Sequence, residues 1–333
     1  MTDNNRDNLI DLVPMSPVAQ DNDDNTVMIE LLGGTEHGLS AYETLVECPR
    51  KHYLASTVRA QSGPQLFGGQ SEVGTWMHAF LELFYRGSPV DPAQVMFSVD
   101  GMPIPYDAEC RLKAIQTMRV YAERYSAFEF GRPLAIERAF SNVTLTSGRD
   151  PVAEATGLPV YTWRPDMIVT VTAEIADGIR ANRGPSNDSV GCLIRPGTYM
   201  VDHKTLSANR DDSIARYEHS LQFMLYQVAH NALVDHGVID LPRVDGVILN
   251  FIVTTKTPQF FTRLVPSPGL VELAIVNAFA AQVKLRLGDI QRQRAVFEPK
   301  TALQIQACYQ CVPNACYNGF QRCSFLGTHC QRF

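Results

Sequence analysis

Residues 197–204 read GTYMVDHK, and an earlier stretch, 159–172, reads PVYTWRPDMIVTVT. Both are short runs rich in Val, Ile, Thr and Tyr and bounded by turn residues, a composition that predicts strands. Each also carries a carboxylate, Asp166 after Arg164-Pro165 and Asp202 before His203-Lys204. A carboxylate in an apolar strand is costly to bury unless a cation or hydrogen bonds satisfy it. Two of them on neighbouring strands suggest a shared divalent ion, and oxygen ligands suit Mg²⁺ or Mn²⁺, which keep several waters and contact only a couple of carboxylates. Strand alternation puts Asp202 and Lys204 on one face. There an ammonium can orient a water activated by the ion and offset negative charge developing on the reacting group.

Outward from these strands the periodicity changes twice. Residues 39–56 and 74–85 (GTWMHAFLELFY) have apolar residues at helical spacing, and in the second His78 and Glu82, four apart, share a face. A turn-rich connection spans 89–105, and a long amphipathic helix is expected over 106–128. Strands are expected at 134–145, 159–172 and 197–204, with a polar insertion at 183–188. A helix over 217–234, strands at 244–253 and near 260–265, and a last helix over 270–294 follow. This order predicts an α/β domain with a small mixed central sheet flanked by helices, an N-terminal helical region and a cysteine-rich C-terminal tail. The expected divisions are a disordered acidic lead-in over 1–35, the α/β domain over 36–295 and the tail over 296–333.

The 333 residues carry a formal net charge of −6 with 19% charged residues. That balance argues against broad electrostatic coating of nucleic acid, which needs clustered Lys and Arg, yet permits a local groove. Six Asp against the single Arg6 in the first 26 residues are unlike a signal or transit peptide, and no apolar run is long enough to span a bilayer. The expectation is an intracellular, cytoplasmic protein with no membrane association, whose thiols stay reduced. Five of its eight cysteines, Cys308, Cys311, Cys316, Cys323 and Cys330, fall in the last 26 residues, and Cys48 lies far upstream. Such grouping points to a metal centre more than to disulfides. Four thiolates suit structural Zn²⁺ and a [4Fe-4S] cluster alike.

Pro165-Asp166 followed by Asp202-His203-Lys204 resembles the signature of the PD-(D/E)XK nuclease superfamily, whose core is of the restriction-endonuclease type. Further features fall in the order of its RecB-like branch. His78 in Gly74-x-x-x-His78 resembles the histidine that joins the carboxylates as a metal ligand. Glu137 in Ile136-Glu137-Arg138 resembles the acidic residue of the first core strand. Gln222 and Tyr226 match a Q-x-x-x-Y motif that shapes the site and contacts DNA. Cys48 with the tail resembles the iron-sulfur staple of AddB-type nuclease domains and CRISPR-associated exonucleases. Departures are Trp163-Arg164-Pro165, where relatives place a small, glycine-containing segment, and a tail of five cysteines where three close the usual pattern. The resemblance implies a metal-dependent DNA exonuclease acting on ends or single strands, in recombination or repair, with a helicase or recombination protein as a possible partner. It implies a metal held by His78, Asp166, Asp202 and the backbone carbonyl of His203, with Lys204 positioning the attacking water. It also implies a cluster on Cys48, Cys316, Cys323 and Cys330, with Cys308 and Cys311 as alternates. Lys256 resembles a lysine near the substrate path and reads equally as a hairpin charge. Two other functions fit the chain: a non-cleaving DNA-processing or recombination accessory protein of this fold, and a zinc-stabilised metalloenzyme unrelated to nucleases.

Overall fold

Residues 246–253, GVILNFIV, are buried at every position. A strand covered on both faces reads as a near-continuous apolar run, so this one belongs at the centre of a sheet. The computed structural model describes residues 27–30, 38–49, 52, 70–88, 91–99, 102–183, 194–208, 211–296, 317–318 and 321–322. In chain order the elements are β1 (Val27–Glu30), α1 (Leu39–Glu47), α2 (Gln70–Tyr85), β2 (Val95–Val99), β3 (Met102–Pro103), α3 (Ala108–Arg124), β4 (Arg132–Ile136) and β5 (Phe140–Ser141). Then come α4 (Pro151–Thr156), β6 (Thr162–Trp163), β7 (Met167–Val171), α5 (Ala173–Arg183), β8 (Gly197–Leu206), α6 (Asp211–Glu218) and α7 (Leu221–Asp235). The series closes with β9 (Gly246–Val253), β10 (Gln259–Pro266), α8 (Leu270–Val296), β11 (Tyr317–Asn318) and β12 (Gln321–Arg322).

The central sheet runs β10-β9-β8-β7-β4. Its pairs are antiparallel except β8–β9, which is parallel and so needs the crossover that α6 and α7 supply. Alternation along each strand divides the core. Met200, Leu206, Leu249 and Phe251 pack on one side with α1, α4, α7 and α8. Val201, Ile248 and Ile252 pack on the other with α2, α3 and α5. The mixed α/β architecture is that of a restriction-endonuclease-like core. Among the described residues no helix is long and apolar enough to cross a membrane.

Several expected boundaries shift. Val27–Glu30 pairs in parallel with Val95–Val99, so the acidic lead-in contains a strand and the turn-rich connection contains another. The stretch read as strand-and-turn between 145 and 159 contains α4, opened by Asp150, whose carboxylate accepts from the Val152 and Ala153 N–H groups, and closed by left-handed Gly157. A Cβ at Gly157 would lie 2.9 Å from that of Ala280 in α8, so the glycine also permits close packing. The segment after β7 forms α5, and the insertion expected at 183–188 lies, beyond Arg183, outside the described residues. The tail cysteines Cys308, Cys311, Cys316, Cys323 and Cys330 also lie outside them.

Candidate active site

The register of β7 on β8 places Met167 opposite Val201. Asp166 immediately precedes β7 and Asp202 follows Val201 on β8, so the two acids lie at the same end of this strand pair. The Asp166 Oδ2 accepts a 2.6 Å hydrogen bond from the His203 N–H, which locks the two carboxylate-bearing segments together. Lys204 Nζ stands 2.6 Å from Asp202 Oδ2 and lies over the rings of Tyr217 and Phe223, at 5.6 and 5.3 Å.

His78 arrives from the other side. A Cβ on Gly74 would stand 3.2 Å from the Thr205 hydroxyl of β8, so the bare glycine lets α2 lie close on the strand. One turn later His78 Nδ1 reaches Asp166 Oδ1 at 3.3 Å. Glu137 follows β4 directly. Its N–H donates to the Asp166 carbonyl at 2.8 Å, and its φ of 48° is left-handed. A side chain other than glycine held there stores about 1–3 kcal/mol of strain, which persists only when neighbouring contacts fix it. Its carboxylate lies 3.0 Å from Arg164 Nε. One donor atom from each of His78, Glu137 and Asp166 falls within 4.8 Å of the others, a spacing that one cation can bridge.

On α7, the Ser220 hydroxyl caps the helix by accepting from the Gln222 N–H, and Gln222 Nε2 donates to the Tyr226 hydroxyl at 2.9 Å. Tyr226 stands within electrostatic reach of Asp202 and Lys204. Thus seven of the residues singled out from sequence, His78, Glu137, Asp166, Asp202, Lys204, Gln222 and Tyr226, converge from α2, the end of β4, the start of β7, β8 and α7. Cys48 terminates α1 and is buried. Lys256 stands exposed in the β9–β10 hairpin.

Residues 39–162 match the sequence profile of the PD-(D/E)XK nuclease superfamily. This part of the chain is similar to that superfamily. The match takes in His78 and Glu137 and ends before Asp166. A solved structure titled "Crystal structure of SSO0001" is similar at 12% identity over 78% of this chain and 75% of that one, with a TM-score of 0.32. Comparison with curated proteins gave no match.

Members of this superfamily use divalent metals, and the donor set here suits one: an imidazole nitrogen beside carboxylate oxygens. His78, Glu137 and Asp166 are the residues whose positions meet that requirement. The electrostatics of the site follow from its burial. Burial disfavours a charged His78, but the Asp166 carboxylate beside it overrides this and lifts the ring to about 9. Burial and then Asp166 push Glu137 up to about 8, against Arg164 and His78. Burial likewise lifts Asp202 to about 6 despite Lys204. Asp166 itself, although buried, is held well below the usual carboxylate range by His78, His203 and Lys204. Lys204 is kept protonated above its ordinary range, because Asp202 and Asp166 outweigh burial. The result is a carboxylate at the centre held in its ionised form, a Glu137 that keeps its proton past neutrality, an Asp202 that loses its own at about 6, and an ammonium on one side.

Behind the sheet lies a polar chain not anticipated from sequence. The His203 ring stacks on Tyr85 at 5.3 Å and 4°, and its Nδ1 lies 2.8 Å from Asn250 Nδ2. Asn250 also donates to the Tyr121 hydroxyl, which bonds with Tyr85 and Glu129. These residues hold the peptide between Asp202 and Lys204 from its far face. The signal was available: Asn250 is the one polar residue in GVILNFIV, and a polar group in a doubly covered strand needs a partner.

Proposed function

We propose that this chain is a Mg²⁺- or Mn²⁺-dependent deoxyribonuclease, an exonuclease that hydrolyses phosphodiester bonds at DNA ends or in single strands. The observation that carries the reading is the convergence of His78, Glu137 and Asp166 on one cation-sized space, with the Asp202–Lys204 pair on the adjoining strand. His78, Glu137 and Asp166, with Asp202 and the His203 carbonyl beside them, would hold a divalent ion, which would supply Lewis acidity toward a phosphate and a water. Lys204, anchored by Asp202, orients that water and offsets charge growing on the phosphate oxygens. Tyr226, fixed by Gln222, closes the site on the α7 side.

End-labelled single- and double-stranded DNA incubated with Mg²⁺ or Mn²⁺ tests this directly. Wild type should shorten the DNA from an end in a metal-dependent ladder. Asp202→Ala or Lys204→Ala should lower the rate by about 10²–10³-fold or more, the scale on which lost electrostatic groups act, with folding unchanged by circular dichroism. Full activity in either variant would refute the assignment. Binding without any metal-dependent cleavage by wild type would instead indicate an accessory role.

The same reading includes a structural [4Fe-4S] cluster on Cys48, Cys316, Cys323 and Cys330. What supports it is the buried Cys48 at the end of α1, a helix that packs on α8, from which the cysteine tail continues. A brown anaerobic preparation with broad visible absorbance is expected. A colourless protein with stoichiometric zinc would replace iron with Zn²⁺ in this role.

A further inference from the structure

Glu137, Asp166 and Asp202 place three carboxylates at a site that must receive a phosphodiester anion. A bound divalent ion offsets part of that negative charge, and an approaching backbone still needs a cation where it enters. Lys204 is ill placed to meet it: its side chain is only 17% exposed and is tied to Asp202. Arg164 differs. It lies two residues before Asp166, with its side chain 47% exposed and Nε 3.0 Å from Glu137 Oε2.

We propose that Arg164 is a substrate-binding residue that takes a DNA phosphate oxygen at the mouth of the site, aimed by its 3.0 Å contact with Glu137. The inference rests on the nuclease reading and adds a residue to it. A guanidinium is suited to the task, because it stays charged and presents a planar fork of donors that matches phosphate. Anchoring the fork on Glu137 lowers the conformational freedom lost when the phosphate docks. The position of the pair also couples substrate to site, since Glu137 is one of the three residues that surround the cation-sized space. A bound DNA end is thereby registered against the reacting centre through one carboxylate.

The alternative is an ordinary exposed ion pair, which would leave DNA binding untouched. The two are separated by the salt dependence of binding, measured by fluorescence anisotropy with labelled single-stranded and duplex oligonucleotides in Mn²⁺. A Lys204→Met background suppresses cleavage during the measurement. Losing one phosphate contact should reduce the slope of log K against log salt by about 0.7 for single strands or about 0.9 for duplex. Arg164→Met is expected to show that loss. Arg164→Lys should keep the slope, having kept the charge, while binding more weakly because the fork is gone. Thermal unfolding of each variant verifies folding, and Arg164→Gln replaces Arg164→Met in the comparison if the latter does not fold. Equal slopes and affinities in all variants would overturn the Arg164 assignment alone. Absence of DNA binding by the background protein would overturn it together with the nuclease reading.

Discussion

Asp202, Glu137 and His78 share a direction of shift: each holds its proton to a higher pH than its ordinary value, to about 6, about 8 and about 9. A carboxyl raised in this way lends stability to the metal-free fold below its ordinary range, 3.8 for Asp202 and 4.5 for Glu137, and that contribution is lost as pH rises through the shifted values. Raised His78 follows the same sign, losing its contribution as pH passes about 9. A metal ion competes with these protons, so its affinity should climb over the same window. Thermal unfolding with and without Mn²⁺ at several pH values is the measurement. The metal-induced rise in midpoint should grow steadily between about 6 and about 9. A pH-independent increment would mean that the ion binds elsewhere.

At the scale of elements, β8 and β9 carry most of the responsibility. β8 has Asp202 and Lys204 on the face of α7, and His203 between them points to the face of α2 and α3. Asn250 on β9 is the clasp for that ring. Asn250→Leu should cost about 1–3 kcal/mol by leaving buried polar partners unmatched, and should lower kcat more than it raises KM. Denaturant titration and steady-state kinetics check the two halves of that expectation. The acids of β7 and β8 were readable in the sequence because a carboxylate among Val, Ile and Met is an anomaly. So was the Gly74–Tyr85 face of α2, with Trp76 and Phe80 at helical spacing. Helix α5 was hidden because Gly178 and a polar end obscure its Ile175, Ala176 and Ile179 stripe. Helix α4 was missed although Asp150-Pro151 and Gly157 spell its two caps. Neither the β9–β8 cross-strand partner of Asn250 nor the meeting of Arg164 with Glu137 has a local signature; both arise from pairing between distant segments.

Over the whole molecule, the site draws on both layers of the core: His78 comes from the α2 side, Gln222 and Tyr226 from the α7 side, and the sheet supplies the rest. Relative movement of the layers would therefore pull the donor set apart. The proposed thiolate centre would resist this by joining the end of α1 to the segment beyond α8. Metal bound only by the folded chain adds its binding free energy to stability. Cys48→Ala should then abolish the visible absorbance, lower the unfolding midpoint and reduce activity indirectly, with metal analysis and calorimetry as the checks. A variant with unchanged metal content and midpoint would remove Cys48 from the centre.

The left-handed backbone at Glu137 has a consequence for anyone improving this protein. Glycine is at ease at a φ of 48°, so Glu137→Gly should relieve strain while deleting a carboxylate of the proposed metal site and its contact with Arg164. Under the proposed function, a library sorted only for heat resistance would enrich that substitution, and its winners would be robust and inert. Position 137 would then be where durability and turnover pull in opposite directions, and screens on this chain would need a catalytic readout from the first round.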